Sequence, residues 1–261
     1  MKTKDTIIHP TAIVDPAAEL GIGVEIGPYA VIEGTVKVGD RTKLHERVSL
    51  KGHTYLGSDN EVFTGAVLGS LTQDKKYKGG VSYLKIGSHN KIREYVTMNP
   101  GTEEGTETVI GDRNLVMAYA HIAHDCILGN DITVANNGTL AGHVVIEDRA
   151  ILGGFGAVHQ FVRIGYLSIV GGCSKVVQDI PPFIMADGHP AKAFGLNSVG
   201  LERANVPAED RSSLKKAFKI LFRSGLSVKS AAKKIESEVP RTQSIQILLD
   251  FLSKSERSIC K

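Results

Sequence analysis

Residues 110–145 read IGDRNL VMAYAH IAHDCI LGNDIT VANNGT LAGHVV, six blocks of six residues that each begin with Ile, Leu or Val. The spacing continues to Val176, and further runs occupy residues 8–68 and 86–98. All 23 repeat positions of the two longer runs carry Ile, Leu or Val, a regularity that chance does not produce. An internal repeat of this kind decides the fold.

The period of six fits neither an α-helix, which repeats every 3.6 residues, nor a plain hairpin sheet. It is typical of a short strand followed by a sharp corner, three times per coil, with successive coils paired as parallel strands. The runs cover 8–69, 86–103 and 110–181. They predict about eight to nine coils in a prism roughly 40 Å tall. Gly and Asn are expected at the corners, where they supply backbone with positive φ.

The composition agrees with an aliphatic column. The chain has 261 residues with 28 Gly, 6% aromatic residues and no Trp, so Ile, Leu and Val must fill the core. Three cysteines argue against a secreted disulfide scaffold. No run reaches membrane-span length and the N-terminus lacks an apolar signal segment, so we expect a cytoplasmic protein without an integral membrane segment.

Two breaks in the repeat, at 70–85 and 104–109, predict loops that leave the prism. Loops on a rigid solenoid are where binding residues tend to lie. The first break contains Asp74 and Lys76, two charged residues next to Tyr77.

The pattern changes after the last repeat. Helices are predicted from Pro207, after the N-cap Ser227 and around residues 247–252. We therefore predict a β-helix domain over 1–188 and a helical domain over 189–261. The helical part carries a net charge of +7 and the rest −4, within a total of +3. This asymmetry indicates an acidic partner at the helical end, with a solvated helix face as the alternative.

Four of the nine histidines fall on one edge of the predicted prism: His121, His124, His143 and His159. Positions eighteen apart stack, so His124 aligns with Gly142 and Gln160, and Asp125 aligns with His143. A lone histidine is usually a surface residue or a residue of a subunit contact. Four histidines that converge beside a carboxylate favour a functional site instead.

The residue types at this edge suit acid–base chemistry. A neutral imidazole such as His124 is a natural general base near pH 7, and a carboxylate such as Asp125 can fix its tautomer. Neighbours on a strand point to opposite faces, so contact between these two is open. The N–H of Gly142 can polarise an acyl carbonyl. Cys126 takes an inward position that favours packing, and the chain has neither a P-loop nor a Gly-x-Ser-x-Gly elbow.

Six segments carry a resemblance to one family: Gln73-Asp74-x-Lys76-Tyr77, His121-Ile122-Ala123-His124-Asp125-Cys126, Leu140-Ala141-Gly142-His143, Ala157-Val158-His159-Gln160-Phe161, Gln178-Asp179-Ile180-Pro181-Pro182 and Phe194-Gly195-x-Asn197 with Arg203. They resemble the UDP-N-acetylglucosamine acyltransferases of lipid A biosynthesis, and they extend over essentially the whole chain. The resemblance implies a mainly β fold, a left-handed parallel β-helix followed by a C-terminal α-helical domain, assembled as a homotrimer.

The activity that the resemblance implies is transfer of a 3-hydroxyacyl group from acyl carrier protein to the 3-position of UDP-N-acetylglucosamine or its 3-amino analogue. Attack is direct, without an acyl-enzyme, cofactor, metal or nucleic acid. His124 is implied as general base, Asp125 as its supporting carboxylate and Gly142 as the oxyanion donor. The basic helical end fits an acidic carrier protein.

Further roles are implied by the resemblance. Substrate binding is expected at Asp74, Lys76, His121, His143, His159, Gln160, Asn197 and Arg203. An acyl-chain pocket is expected at Gly171, Gly172 and Lys175. The chain departs from the common family pattern at Asn99-Pro100, Val199 and Ala204, which leaves the nucleotide contacts and the sugar open.

Three alternatives stand beside this interpretation. A zinc lyase resembling the hexapeptide carbonic anhydrases would need His121, His143 and His159 as ligands. A non-catalytic hexapeptide scaffold is disfavoured, because it would not need four histidines along one edge of the prism or the charged residues of the first loop. A related sugar N-acyltransferase has a uridine-binding domain before its prism and is not expected, because the hexads here begin at Ile8.

Overall fold

The structure, a computed structural model, describes residues 5–261. The expectation about a signal segment also concerns residues 1–4, which lie outside the described residues. Three parallel sheets form the sides of a prism, and each short strand pairs with the strand one coil further on. Ile8 pairs with Ile26, and Ile26 with Leu44, at the predicted spacing of eighteen. The stacked parallel architecture predicted from the hexads is confirmed.

Strands are numbered along the chain. The first sheet contains, in spatial order, β1 (Ile7–Ile8), β4 (Glu25–Ile26), β7 (Lys43–Leu44), β10 (Glu61–Val62), β13 (Lys91–Ile92), β16 (Leu115–Val116), β19 (Thr133–Val134), β22 (Ile151–Leu152), β25 (Ile169–Val170), β27 (Ile184–Gly188) and β28 (Ala191–Leu196). The second contains β2 (Ile13–Val14), β5 (Val31–Ile32), β8 (Ser49–Leu50), β11 (Val67–Leu68), β14 (Thr97–Met98), β17 (His121–Ile122), β20 (Thr139–Leu140), β23 (Ala157–Val158) and β26 (Lys175–Val176). The third contains β3 (Glu19–Leu20), β6 (Lys37–Val38), β9 (His53–Leu56), β12 (Tyr83–Ile86), β15 (Glu107–Ile110), β18 (Ile127–Leu128), β21 (Val145–Ile146) and β24 (Arg163–Ile164).

The aliphatic repeat residues form the core of the prism. From Ile26 to Val176 each one is at most 4% exposed. Ile8, Val14 and Leu20 of the first described coil are only half-buried, because this coil is covered by a neighbour on one side alone. The aliphatic column therefore replaces the aromatic residues that the composition lacks.

The expected use of glycine is only partly correct. Most corner residues with positive φ are not glycine: Tyr29, Asp125 and His143 adopt φ of 59°, 58° and 61°. The glycines that follow the aliphatics are needed for another reason. A Cβ at Gly39 would lie 2.6 Å from the carbonyl carbon of Gly57 in the next coil, so a side chain would push the coils apart.

The chain leaves the prism twice, both times at the corner between the second and third sheets. The first excursion spans residues 69–82, between β11 and β12, and the second spans 99–106, between β14 and β15. Both predicted loops, 70–85 and 104–109, end too late, because the chain re-enters the third sheet as the four-residue strands β12 and β15. The second loop also begins earlier than predicted, directly after β14. The turns His124–Asp125 and Gly142–His143 lie at the same corner, which we call the loop corner.

A column of asparagines lines the inside of a second corner, between the third and first sheets. Asn60, Asn90 and Asn114 are buried. The N–H of Asn90 donates to Oδ1 of Asn60 (2.9 Å), and the N–H of Asn114 donates to Oδ1 of Asn90 (2.8 Å). Each side-chain amide also donates to a glycine carbonyl of a neighbouring turn. These polar groups are satisfied inside an aliphatic core, so each is costly to remove.

Replacing Asn90 by Ala is expected to lower the free energy of unfolding by about 2–4 kcal/mol, since it leaves the N–H of Asn114 and the carbonyl of Gly111 without their partner. Urea unfolding at fixed protein concentration measures the change. The exposed neighbour Lys91, changed to Ala, serves as control and should shift the free energy by less than about 0.5 kcal/mol. Equal shifts for both variants would contradict the role of the column.

Beyond the last coil, the antiparallel hairpin of β27 and β28 extends the first sheet. Four helices follow: α1 (Ser198–Arg203), α2 (Ala208–Arg223), α3 (Val228–Glu238) and α4 (Gln243–Ser253). The three predicted helices are confirmed, with Ser227 capping α3 through the N–H of Ser230. Helix α1 was not predicted because it is one short helix with a single buried residue, Leu201. The expected domain boundary after residue 188 falls at the turn of the hairpin, and this division stays a prediction.

The helices pack around a second apolar cluster that includes Leu214, Leu221, Ile235 and Leu248. The C-terminal segment then returns to the prism, where the N–H of Cys260 donates to the carbonyl of Asp179 at 3.0 Å. No helix among residues 5–261 is both long and apolar enough to span a bilayer.

Candidate active site

His124 and Asp125 form a turn at the loop corner and contact each other directly. Nδ1 of His124 lies 2.8 Å from Oδ2 of Asp125. Both side chains are mostly buried, with 15% and 11% exposed. The expectation that sequence neighbours point to opposite faces does not apply, because this pair is not a strand: Asp125 has a φ of 58°. The carboxylate therefore fixes the orientation of the imidazole.

Gly142 lies one coil further on, against the ring of His124. A Cβ built on Gly142 would overlap Cε1 and Nε2 of that ring, so glycine is required where the imidazole lies over the next turn. Its N–H donates no hydrogen bond within the described part of the chain. A backbone donor and the imidazole thus adjoin each other.

His143 completes the partly buried cluster. Its ring packs edge-on to that of His124, with the ring centroids 5.2 Å apart, and stacks on that of Phe161, with the centroids 4.6 Å apart. Nε2 of His143 lies 3.8 Å from Oδ2 of Asp125. Phe161 holds the ring in place from the following coil. No residue pattern marks this contact in advance, although Phe161 lies in one of the six resembling segments.

Asp74 reaches the same cluster from the first excursion. Its Oδ2 lies 3.6 Å from Nε2 of His124, on the side of the ring opposite to Asp125. The N–H of Lys76 donates to Oδ1 of Asp74 at 3.0 Å. This hydrogen bond, aided by the nearby His124, holds the pKa of Asp74 below its usual value. The Lys76 side chain itself is exposed. A charged carboxylate therefore faces the free nitrogen of the imidazole.

His121 lies on β17, at the edge of the cluster. Its Nδ1 is 2.7 Å from the hydroxyl oxygen of Thr97 on the neighbouring strand. Burial, followed by the nearby His124, lowers the pKa of His121. The ring is therefore neutral at physiological pH and is suited to hydrogen bonding rather than to ion pairing.

Among the described residues, one group brings three potential metal ligands together: His124, Asp125 and His143, with ligand atoms within 4.8 Å of one another. A direct hydrogen bond between His124 and Asp125 accounts for their closeness. The set expected for a zinc lyase, with His121 and His159 beside His143, is not brought together, because Nδ1 of His121 pairs with Thr97 and that of His159 with the carbonyl of Gln160. The lyase alternative is therefore not favoured.

Comparisons with known proteins find relatives over nearly the whole chain. The family model for "Udp N-acetylglucosamine O-acyltransferase; Domain 2" matches residues 179–260, and that for "Bacterial transferase hexapeptide (six repeats)" matches 107–142. The acyl-[acyl-carrier-protein]–UDP-N-acetylglucosamine O-acyltransferases of Thermodesulfovibrio yellowstonii and Thiobacillus denitrificans are 49% and 48% identical, each over 97% of this chain and 99% of their own length. The crystal structure of a UDP-N-acetylglucosamine acyltransferase from Bacteroides fragilis superposes with a TM-score of 0.95 at 38% identity, covering 98% of this chain and 100% of that one.

The chain belongs to the UDP-N-acetylglucosamine O-acyltransferase family. This membership confirms the family expected from the six segments, and the matching structure confirms a β-helix with C-terminal helices. A scaffold without activity is not favoured, because the full-length relatives are named as acyltransferases.

The other substrate residues expected for an acyltransferase of this family lie further away. His159 and Gln160 are exposed at the loop corner, two coils from His124 and thus about 10 Å along the prism. The carbonyl of Gln160 accepts from Nη1 of Arg257, which ties this turn to the C-terminal segment.

The residues expected at the nucleotide lie near a different corner. Asn197 and Arg203 line a groove of about 400 Å³ beside Arg149 and Leu167, at the corner between the third and first sheets. The buried Asn197 side chain caps α1, since its Oδ1 accepts from the N–H of Gly200 while Nδ2 donates to the carbonyl of Leu167. The departures Val199 and Ala204 line the same groove.

The residues expected at the acyl chain lie at the remaining corner and along the second sheet. Gly171 and Gly172 precede the turn at Cys173, and Lys175 lies exposed on β26. A Cβ on Gly172 would meet the carbonyl oxygen of Gly154 at 3.3 Å, so a side chain there is crowded by the preceding coil. Within one chain these residues are not brought together with His124.

Proposed function

We propose that this chain transfers a 3-hydroxyacyl group from acyl carrier protein to the 3-position of UDP-N-acetylglucosamine or its 3-amino analogue, the first step of lipid A biosynthesis. The full-length relatives named for this activity support the substrates. The observation that carries the proposal is the His124–Asp125 hydrogen bond of 2.8 Å beside the N–H of Gly142. It combines a base, its orienting carboxylate and a carbonyl-polarising donor.

His124 acts as the general base in this proposal. Nδ1–H donates to Asp125, which leaves the lone pair of Nε2 to accept a proton. The acceptor oxygen attacks the thioester carbonyl carbon while its proton moves to Nε2. Asp125 then stabilises the imidazolium that forms.

Gly142 stabilises the oxyanion of the tetrahedral intermediate through its N–H. When the carbonyl re-forms, the C–S bond breaks and His124 returns the proton to the departing sulfur of the carrier. No acyl-enzyme is needed. Cys126, the thiol nearest in sequence, is fully buried, and burial raises its pKa to about 12, which makes it a poor nucleophile.

The acceptor sugar binds between Asp74 and His124. Asp74 faces Nε2 at 3.6 Å and its charged carboxylate can accept from a sugar hydroxyl. Lys76 on the same loop contributes a positive charge, and His121, His143, His159 and Gln160 line the cleft toward the acyl group.

The active form is a homotrimer in this proposal. The residues expected at the base, the nucleotide and the acyl chain lie at three different corners of one prism, so one ligand can meet all three only between chains. Exposed aromatic side chains support contact between prisms: Tyr29, Tyr95, Tyr119 and Phe155 follow the corner between the first and second sheets. Tyr95 and Tyr119 stack on each other at 5.2 Å.

Acyl carrier protein docks at the helical end in this proposal. Residues 189–261 carry a net charge of +7, which suits an acidic partner. A cytoplasmic location, where such a carrier is available, stays a prediction.

Mass analysis of the product tests this function. The purified chain is given 3-hydroxyacyl carrier proteins of several lengths together with UDP-N-acetylglucosamine and its 3-amino analogue. We expect an acylated UDP-sugar and no acylated protein. The linkage of the product, ester or amide, identifies the acceptor. Absence of any acylated sugar, or accumulation of acyl-protein, would contradict the proposal.

A further inference from the structure

Residues 99–106, the second excursion, lie between the first excursion and the His124–Asp125 turn; we call them the bridge. The backbone N–H of Thr102 in the bridge donates to Oδ2 of Asp125 at 3.2 Å. The same Oδ2 contacts Nδ1 of His124. The bridge therefore touches the orienting carboxylate on one side.

On its other side the bridge contacts the first excursion, residues 69–82. Oε2 of Glu104 accepts from the N–H of Val81 at 2.8 Å, and the N–H of Gly105 donates to the carbonyl of Val81 at 2.8 Å. A Cβ on Gly80 would overlap Oε2 of Glu104, so the approach of this carboxylate depends on glycine at that position. These contacts hold the C-terminal half of the excursion.

The N-terminal half of the excursion is held by Asn99, which is 4% exposed. Its Nδ2 donates to the carbonyl of Ser70 at 3.0 Å and to that of Leu71 at 3.2 Å. In contrast, the contacts of Asp74 with Thr72 and Lys76 lie within the excursion and do not attach it to the prism. The bridge therefore contacts the excursion near both of its ends, at Ser70–Leu71 and at Val81.

We propose that the bridge positions the first excursion for acceptor binding, with Glu104 and Asn99 as its positioning residues. This inference rests on the proposed role of Asp74 in binding the sugar. Glu104 acts through the main chain of Val81 and has no contact with the cluster itself. Asn99, which departs from the common family pattern, thereby has a function of its own in this chain.

The test compares two adjacent exposed carboxylates. Glu104→Ala removes the acceptor of the Val81 N–H, whereas Glu103→Ala removes a side chain without a contact in the described chain. We expect Glu104→Ala to raise KM for UDP-N-acetylglucosamine about tenfold with kcat changed less than about twofold, since one charge-assisted hydrogen bond is lost. Glu104→Gln keeps an acceptor oxygen and should restore most of the affinity. Glu103→Ala should match the wild type.

Amide hydrogen exchange provides a readout that does not depend on activity. In Glu104→Ala the amides of residues 70–81 should exchange about tenfold faster, while those of the prism strands stay unchanged. An unchanged KM, or an equal rise in Glu103→Ala, would overturn the inference. If the wild-type chain transfers no acyl group, the proposed function fails, and the exchange measurement alone then decides: unchanged exchange in residues 70–81 overturns the inference.

Discussion

His124→Ala is expected to lower kcat by about 10²–10⁴-fold, because it removes the only imidazole in the described chain whose Nδ1 is held by a carboxylate while Nε2 faces the cleft. The fold should survive, since the ring lies at a corner and not in the aliphatic column. Steady-state rates with saturating acyl carrier protein and UDP-sugar measure the loss, and the unfolding midpoint reports on the fold.

Two comparisons separate catalysis from structure at this position. His89→Asn removes an exposed histidine of another corner, and Asn tolerates the φ of 59° found there, so its rate should equal the wild type. Added imidazole should restore part of the rate of His124→Ala, because the space over Gly142 is then open to a free base. A normal rate in His124→Ala would refute the assignment of the base.

The sequence was sufficient for most of the fold because the repeat has a single physical solution. A period of six places the aliphatics on the inner faces of the three sheets in turn, and from Ile26 onward they are buried as predicted. The excursions were harder to delimit. The chain re-enters the third sheet through the four-residue strands β12 and β15, which begin two residues earlier than the usual two-residue strand of a repeat. Both breaks therefore end earlier than predicted.

His124 and Asp125 were proposed as base and carboxylate from their residue types, but their contact was not predicted. Strand geometry argued against it, and only the positive φ of Asp125 turns its carboxylate back onto His124. Hexads do mark such turn positions, since Tyr29, His143 and Phe161 adopt the same φ region one or more coils away. The hexad position of Asp125 therefore predicts its positive φ, and with it the turn that brings its carboxylate to His124.

Contacts made by the main chain left no sequence signal. The support that Thr102 gives to Asp125 comes from a backbone N–H, which any residue except proline supplies. Asn197 shows the reverse case: the resemblance implies a nucleotide contact, while in the structure its side chain caps α1 and donates to the carbonyl of Leu167. A residue type alone does not tell a ligand contact from a cap.

Gly142→Ala is expected to lower kcat about hundredfold or more, although alanine keeps the backbone N–H that we propose as oxyanion donor. The added Cβ would overlap Cε1 and Nε2 of His124, so the ring must move away from the position that Asp125 fixes. A displacement of about 1 Å in a catalytic group costs roughly 10²-fold in rate. Gly154→Ala is the matched control, because it changes the same hexad position in a turn at another corner and its Cβ would meet only the carbonyl oxygen of Asn136 at 3.4 Å.

The double variant His124→Ala/Gly142→Ala decides whether the glycine acts through the imidazole. If the methyl group harms the reaction only by displacing the ring, the double variant should be as slow as His124→Ala alone, since there is no ring left to displace. The overlap would also be relieved, so the unfolding midpoint of the double variant should return toward that of His124→Ala. A further loss of rate in the double variant would instead mean that the methyl group blocks the carbonyl from the N–H of Gly142. In that case glycine is required at this corner for access to the donor rather than for the position of the base.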